Sequence, residues 1–242
     1  MSGLKRTITQ AKSESGQSLD EGKKGMKFEV YKKMCEIMFR SDNDDYLFAH
    51  TFLTLEWNLL ARADNCFHMQ TQHIEFENDC LKFYFGKSKG NQTGESNENP
   101  WHVYSNPNCP IICPMLALSK YLFANPDIIK TGEKLFPGKN QYSRFMNVFH
   151  KVIKSHEEEF YALGVSPGDL GSHSVRKGAI SLVASGCIVS PPMAAICLRA
   201  CWSMGPVKDR YIHYEKAGDQ YVGRCATGIS SLSKEFATSP AY

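Results

Sequence analysis

The sequence predicts an α+β domain that is predominantly helical, with a small antiparallel β-hairpin or three-stranded sheet at one edge. Three observations carry this reading. Apolar residues recur at helical spacing in several separate runs. One stretch only, Ile74 to Phe85, alternates apolar and polar residues around a two-residue turn, Asn78-Asp79, the pattern of a hairpin. The length, 242 residues, suits one large domain or two small ones with a sizeable core.

Residues 1 to about 25 are rich in Ser, Gly, Lys and Glu and nearly free of apolar side chains. They read as a disordered tail or linker. Lys5-Arg6 and Lys23-Lys24 within it read as solvated charge, with phosphate contact as the sharper alternative. A folded domain is expected over residues 26–222, followed by a C-terminal segment, 223–242. Phe28, Val30, Tyr31, Met34, Ile37 and Met38 predict a helix from Phe28 to Phe39. After a polar turn, Ser41 to Asp45, Phe48, Phe52, Leu55 and Leu59 mark one face of a second helix, Tyr46 to about Leu60. This helix delivers Arg62, which is expected to be drawn into the domain and to need an anionic partner there. Asp64 and a bound phosphate both fit.

In the hairpin, Ile74, Phe76, Leu81, Phe83 and Phe85 are expected to share one buried face. Its second strand runs into Gly86-Lys-Ser-Lys-Gly90 and a polar loop through Asn99. Lys87 and Lys89 are either solvated there or presented to a phosphate. The loop lacks the Gly-x-x-x-x-Gly-Lys-Ser/Thr pattern of a nucleotide-binding P-loop. Pro114 opens a helix with Leu116, Leu118, Tyr121 and Leu122. A longer helix, about Ser143 to Leu163, carries Phe145, Phe149, Val152 and Ile153 as a core stripe, with Glu157 to Glu159 on a solvated face. Ser190-Pro191-Pro192 opens a further helix, Met193 to Ala200. Past the next motif, Tyr221, Ile229, Leu232 and Phe236 form either an arm for a neighbouring subunit or a tail folded on its own core.

Composition narrows the function. The formal net charge, +3, permits nucleic-acid binding without arguing for it. No apolar run approaches membrane-spanning length, and the N-terminus has no secretory h-region. Nine cysteines, an odd number, suit reduced thiols better than a disulfide framework. Cys109 and Cys113 lack a second pair at zinc-site spacing, so no metal site is expected.

The sharpest chemistry lies in Gly171-Ser-His-Ser-Val-Arg-Lys-Gly178. His173 and Arg176, three residues apart, share one helical face. Ser172 or Ser174 can cap that helix and Gly186 can end it. A helix start bearing an imidazole and a guanidinium suits an anion, although two unrelated surface residues would look the same. Further on, Trp202 and Tyr211 are nine residues apart. One unbroken helix would separate them by about 13 Å. Gly205-Pro206 breaks it: Gly ends the first helix, Pro starts a second, and the bend can return Tyr211 toward Trp202. Ordinary core packing of the two aromatics is the alternative.

The ordered set Arg62, Lys89, His173-x-x-Arg176, Trp202 and Tyr211 resembles the catalytic signature of tyrosine recombinases, the phage integrase-like enzymes. Ser-His-Ser-Val-Arg-Lys-Gly and Trp-Ser-Met-Gly-Pro-Val-Lys-Asp-Arg-Tyr look most like the Crypton group of eukaryotic mobile elements. The resemblance covers about residues 30 to 220 and implies the tyrosine recombinase (integrase) catalytic-core fold. It departs from the family at Trp202, where many members have His, and in lacking the usual N-terminal DNA-clamping domain. A fragment, or a protein that manages without the clamp, is therefore expected.

The resemblance implies a DNA integrase that breaks and rejoins strands through a 3′-phosphotyrosyl intermediate, with Tyr211 as nucleophile. His173 would exchange the proton, and Arg62 and Arg176 would grip the non-bridging oxygens. Lys89, with Lys87 as fallback, would protonate the departing 5′-oxygen, and Trp202 would donate its indole N–H. Tyr214 is the competing nucleophile. The implied partner is double-stranded DNA bound by a homotetramer, with no cofactor, metal, small-molecule substrate or membrane. The implied location is the nucleus in a eukaryote and otherwise the cytoplasm. Two other functions fit the same residues: a domesticated DNA- or protein-binding domain that does not cut, and a type IB topoisomerase.

Overall fold

The computed structural model describes residues 23–85, 99–131, 133–186, 189–206, 208–233 and 236. In chain order, α1 (Phe28–Phe39), α2 (Asp44–Leu59) and the short α3 (Ala63–Phe67) precede strands β1 (Ile74–Glu77), β2 (Cys80–Phe83) and β3 (Trp101–Tyr104). Then come α4 (Pro114–Ala124), α5 (Asp127–Thr131), α6 (Gln141–Ser155), α7 (Glu157–Ala162) and α8 (Ser172–Ser185). The chain closes with α9 (Met193–Arg199), α10 (Lys208–Tyr211) and α11 (Lys216–Ala226). None of the described helices is long and apolar enough to cross a membrane.

The core is built on α2. The Asn43 side chain accepts the Asp45 N–H at 2.8 Å and so caps its start. From Phe48 to Leu59 every residue of α2 is buried. A helix buried on all sides must satisfy its polar groups internally. Thr51 donates to Leu47 O and Ala117 O, Thr54 to His50 O, and Asn58 Nδ2 to Thr54 O. Around α2 pack α1, α4, α6 and α8. Tyr31 of α1 stacks on Trp57 with ring centroids 4.1 Å apart, and Trp57 Nε1 donates to Ala226 O.

The sheet is antiparallel in the order β1-β2-β3, with Ile74 opposite Phe83 and Phe83 opposite Trp101. β3 was not anticipated as a strand of its own, although Trp101, Val103 and Tyr104 are good strand formers. It is the strand that joins the sheet to the helices. Helix α11 lies so close across it that a β-carbon on Gly223 would come within 2.2 Å of the His102 carbonyl oxygen. This helix also runs across residue 222 without a break, and its Val222, Cys225 and Ala226 are buried.

The structure corrects four expectations. Phe76 is 70% exposed, because it lies near the outer end of edge strand β1, beyond the reach of the core. The helix expected over Ser143–Leu163 is two, α6 and α7. They part at His156, whose backbone leaves helical geometry and whose ring Nδ1 lies 3.1 Å from Val152 O. The core stripe Phe145, Phe149, Val152 and Ile153 is buried as predicted. The residue at the cap position of α8 is Gly171, not a serine, and the Ser174 hydroxyl accepts the Gly171 N–H at 3.0 Å. Finally, the helix before Trp202 stops at Arg199 rather than at Gly205. Cys201 turns into the left-handed region there, with φ 50°.

Candidate phosphate-binding site

Helix α8 sets the site. Val175, Ala179 and Val183, spaced at i, i+4 and i+8, are fully buried and fix its inner face. This leaves His173 exposed and Arg176, 8% exposed, at the rim of the core. An Arg176 Nη2–H donates to the Ala200 carbonyl, and the guanidinium carbon lies 5.9 Å from the centre of the Trp202 ring. The left-handed turn at Leu60 (φ 52°) ends α2 and leads into extended backbone at Arg62, the residue before α3.

Arg62 is exposed rather than drawn into the domain, and Asp64 pairs with His68, not with Arg62. The sequence expectation is corrected on both points. Arg62 nevertheless stands close enough to act on Arg176. Burial, and after it the positive charge of Arg62, pulls Arg176 below the usual guanidinium value. Two like charges held together in this way gain most from an anion placed between them.

Arg62, His173, Arg176 and Trp202 line one open cavity of about 480 Å³, which also receives Lys23 and Lys177. No acidic side chain lines it among the described residues. A larger groove of about 840 Å³, bordered by Phe28, Leu182 and Leu232, has Lys27 balanced by Glu29 and, among the described residues, no comparable cluster of cations. The anion site is the smaller cavity.

Tyr211 does not line it. It is 73% exposed on α10, a helix none of whose residues is buried. The segment between Trp202 and Tyr211 is tied mainly to itself: Asp209 accepts from the Ser203 hydroxyl and from the Met204 N–H at 2.8 Å. These two donors also hold its carboxyl below the usual range. Tyr214 is different. Its hydroxyl donates to Pro100 O at 2.8 Å, and burial pushes its pKa well above that of a free phenol. A phenol so held is poorly placed to ionise and attack. Lys89 and Lys87 lie outside the described residues.

Beneath the cavity is a group with no sequence signal. Glu56, in the middle of α2, is 1% exposed, and neither carboxyl oxygen has a hydrogen-bond partner among the described residues. Burial raises its pKa well above 4.5, against the opposing pull of Arg176. A raised value in the folded state means that stability is fully present below the unfolded value and lost as pH rises through the folded one. Glu56→Gln is therefore expected to match the wild type near pH 4 and exceed it at pH 9 by about 1 kcal/mol or more, the scale of a buried unpaired group. Urea unfolding at the two pH values reads this directly; parallel pH profiles for the two proteins would contradict it. Glu56 and Lys177 escaped sequence reasoning because a Glu amid apolar residues and a Lys beside an Arg are both commonplace. Lys23 was visible only as tail charge.

No family model matches the chain, and no curated protein sequence does either. Similarity appears at the level of structure. A crystal structure of the XerH site-specific recombinase bound to its difH substrate, in a pre-cleavage complex, matches over 78% of this chain with TM-score 0.50 and 11% identity. A post-cleavage complex of XerH with palindromic difH substrate matches over 87% with TM-score 0.54 and 10% identity. The chain spans about half the length of these proteins, 50% and 51% respectively. With its mainly helical body and small three-stranded antiparallel sheet, this chain has the catalytic-core fold of the tyrosine recombinases.

Proposed function

We propose that the chain is the strand-cleaving domain of a DNA recombinase of Crypton type, acting through a tyrosine. The observation that carries this is the convergence of Arg62, His173, Arg176 and Trp202, from three separate parts of the chain, on one cavity that no acidic side chain lines among the described residues. The fold shared with recombinases supports it. In the reaction, the Tyr211 oxygen bonds to a backbone phosphorus and the 5′-oxygen leaves, giving a 3′-phosphotyrosyl link and a free 5′-hydroxyl. The phenol proton passes to His173, and Lys89 supplies one to the leaving oxygen. Arg62 and Arg176 hold the non-bridging oxygens as charge builds on them, and the Trp202 indole donates to one of them. No bond energy is lost to water, so the strands rejoin by the reverse step.

Tyr211 must approach the cavity for this chemistry. Its weakly anchored helix can do so with little loss of packing, since none of that helix is buried. We further propose that the working state is a homotetramer on two DNA duplexes. The test uses a nicked duplex carrying a target site selected from random-sequence DNA. Wild type and Tyr214→Phe are expected to trap a covalent protein–DNA adduct, and Tyr211→Phe to trap none, a loss of at least a thousandfold. Adduct formation by Tyr211→Phe would sink the assignment. Tight binding with no adduct from wild type would favour a non-cutting DNA-binding domain, a reading consistent with the position of Tyr211 away from the cavity wall.

A further inference from the structure

Two of the cations in the cavity, Lys23 and Lys177, are not among the six positions of the catalytic signature. Lys177 follows Arg176 and stands one helical turn from His173. Lys23 comes from the opposite end of the chain, and the contacts that bring it here are specific. The segment from Lys23 to Met26 runs along the start of α8. Lys24 N donates to Asp169 O at 3.1 Å, and Met26 N to Ser174 O at 2.8 Å. The Lys24 ammonium pairs with the Asp169 carboxylate at 3.1 Å, and Lys177 Nζ donates to Lys23 O at 2.9 Å. The seat is shaped for this backbone: a β-carbon on Gly178 would stand 1.9 Å from the Met26 carbonyl oxygen. The Lys23 stem lies over Gly171, where a β-carbon would be 3.4 Å from its Cγ. Both glycines of Gly171-x₆-Gly178 thus face the strap.

Charge then says what the extra cations are for. One phosphodiester brings one negative charge, which the two guanidinium groups already more than balance. In the contacts described, both ammonium groups donate to neutral carbonyls, Lys177 to Lys23 O and Lys23 to Gly168 O. Exchanging a neutral carbonyl for a phosphate oxygen replaces an ordinary hydrogen bond by a charge-assisted one. Lysine's flexible stem and compact charge suit a phosphate whose exact orientation does not matter, whereas the arginine forks suit the one that reacts. A DNA strand presents its next phosphate within about 3.4 Å of axial rise, so a cavity that holds one is close to its neighbour.

We propose that Lys23 and Lys177 form a second phosphate subsite, which takes the phosphate adjacent to the scissile one on the same DNA strand. The placement rests on the recombinase reading above. It makes the strap a working wall of the site rather than the end of a tail.

The test combines a Lys23→Ala/Lys177→Ala double variant with nicked duplexes in which each phosphate flanking the scissile one is replaced, in turn, by neutral methylphosphonate. On native DNA the double variant is expected to form adduct about tenfold more slowly than wild type. Wild type should lose a similar factor on one methylphosphonate duplex, and the double variant should lose nothing further on that duplex. A wild-type rate for the double variant, or an equal additional loss on both modified duplexes, would overturn the subsite. If wild type forms no adduct at all, the cleavage reading fails and binding decides the subsite alone. The salt dependence of affinity for a plain duplex should then fall by about one phosphate contact in the double variant. An unchanged salt slope would overturn the subsite in that case.

Discussion

Arg176→Lys is expected to slow adduct formation by roughly a hundredfold to a thousandfold, the usual cost of losing one preorganised donor at a developing oxyanion. Lysine keeps the charge but loses the fork. Arg176 reaches the Ala200 carbonyl with one nitrogen, stands beside Trp202 and lines the cavity, so its planar fork is held there by contacts on two sides. An ammonium on a flexible stem cannot hold both the Ala200 contact and two phosphate oxygens. Lysine is also the informative choice for stability. Arg176→Ala would leave the Glu56 carboxyl without the positive charge that favours its ionised form, mixing a folding defect with a catalytic one. The measurement is single-turnover adduct formation alongside duplex affinity. Affinity should change less than about tenfold, because the other cations of the cavity remain. A cleavage rate within a few-fold of wild type would mean that Arg176 does not stabilise the transition state.

Much of the fold was legible because its signals are local. The Phe28–Phe39 helix matches its predicted bounds, and the helix after Pro192 starts at Met193 as predicted. Apolar spacing, proline and glycine decide such elements within a few residues of chain. The misses have non-local causes. His156 splits α6 from α7 although the sequence there keeps helical spacing. Trp101–Tyr104 becomes a strand because β2 and α11 enclose it, and its own residues do not settle that. Residue order also singled out four side chains, Arg62, His173, Arg176 and Trp202, that line one cavity. The exposure of Arg62 and the position of Tyr211 depend on the turns at Leu60 and Cys201. Both are non-glycine residues in the left-handed region, and such turns have no reliable sequence mark. Lys23 reaches the cavity through its contacts with Gly168 and Lys177 and that of Lys24 with Asp169, about 145 residues away or more, and tail composition cannot reveal them.

The cavity is held in shape by a charged knot behind it, and there the largest stability effect is expected. The Arg199 side chain is wholly buried, and its Nη1 pairs with Asp219 Oδ1 at 2.7 Å. Its Nη2 donates to Asn58 O and His102 O, both at 2.9 Å. The other Asp219 oxygen accepts the backbone N–H of His102 and lies 2.8 Å from its Nδ1. These contacts join α2, β3, α9 and α11, and Arg199 immediately precedes Ala200, the residue whose carbonyl positions Arg176. Burial alone would raise the Asp219 pKa, but Arg199 and then His102 override it and hold the carboxyl below its ordinary value. A depressed value means that this stability is present above the unfolded pKa and lost as pH falls through the folded one, so the knot should fail on acidification. Asp219→Ala strands the Arg199 charge in the core and is expected to cost roughly 3–5 kcal/mol, measured by denaturant unfolding at neutral pH. The Arg199→Met/Asp219→Leu pair, which removes both charges and keeps comparable bulk, is expected to be more stable than Asp219→Ala. If the double variant is instead the less stable of the two, the cost of Asp219→Ala lies in packing rather than in a stranded charge, and the electrostatic account of the knot is wrong.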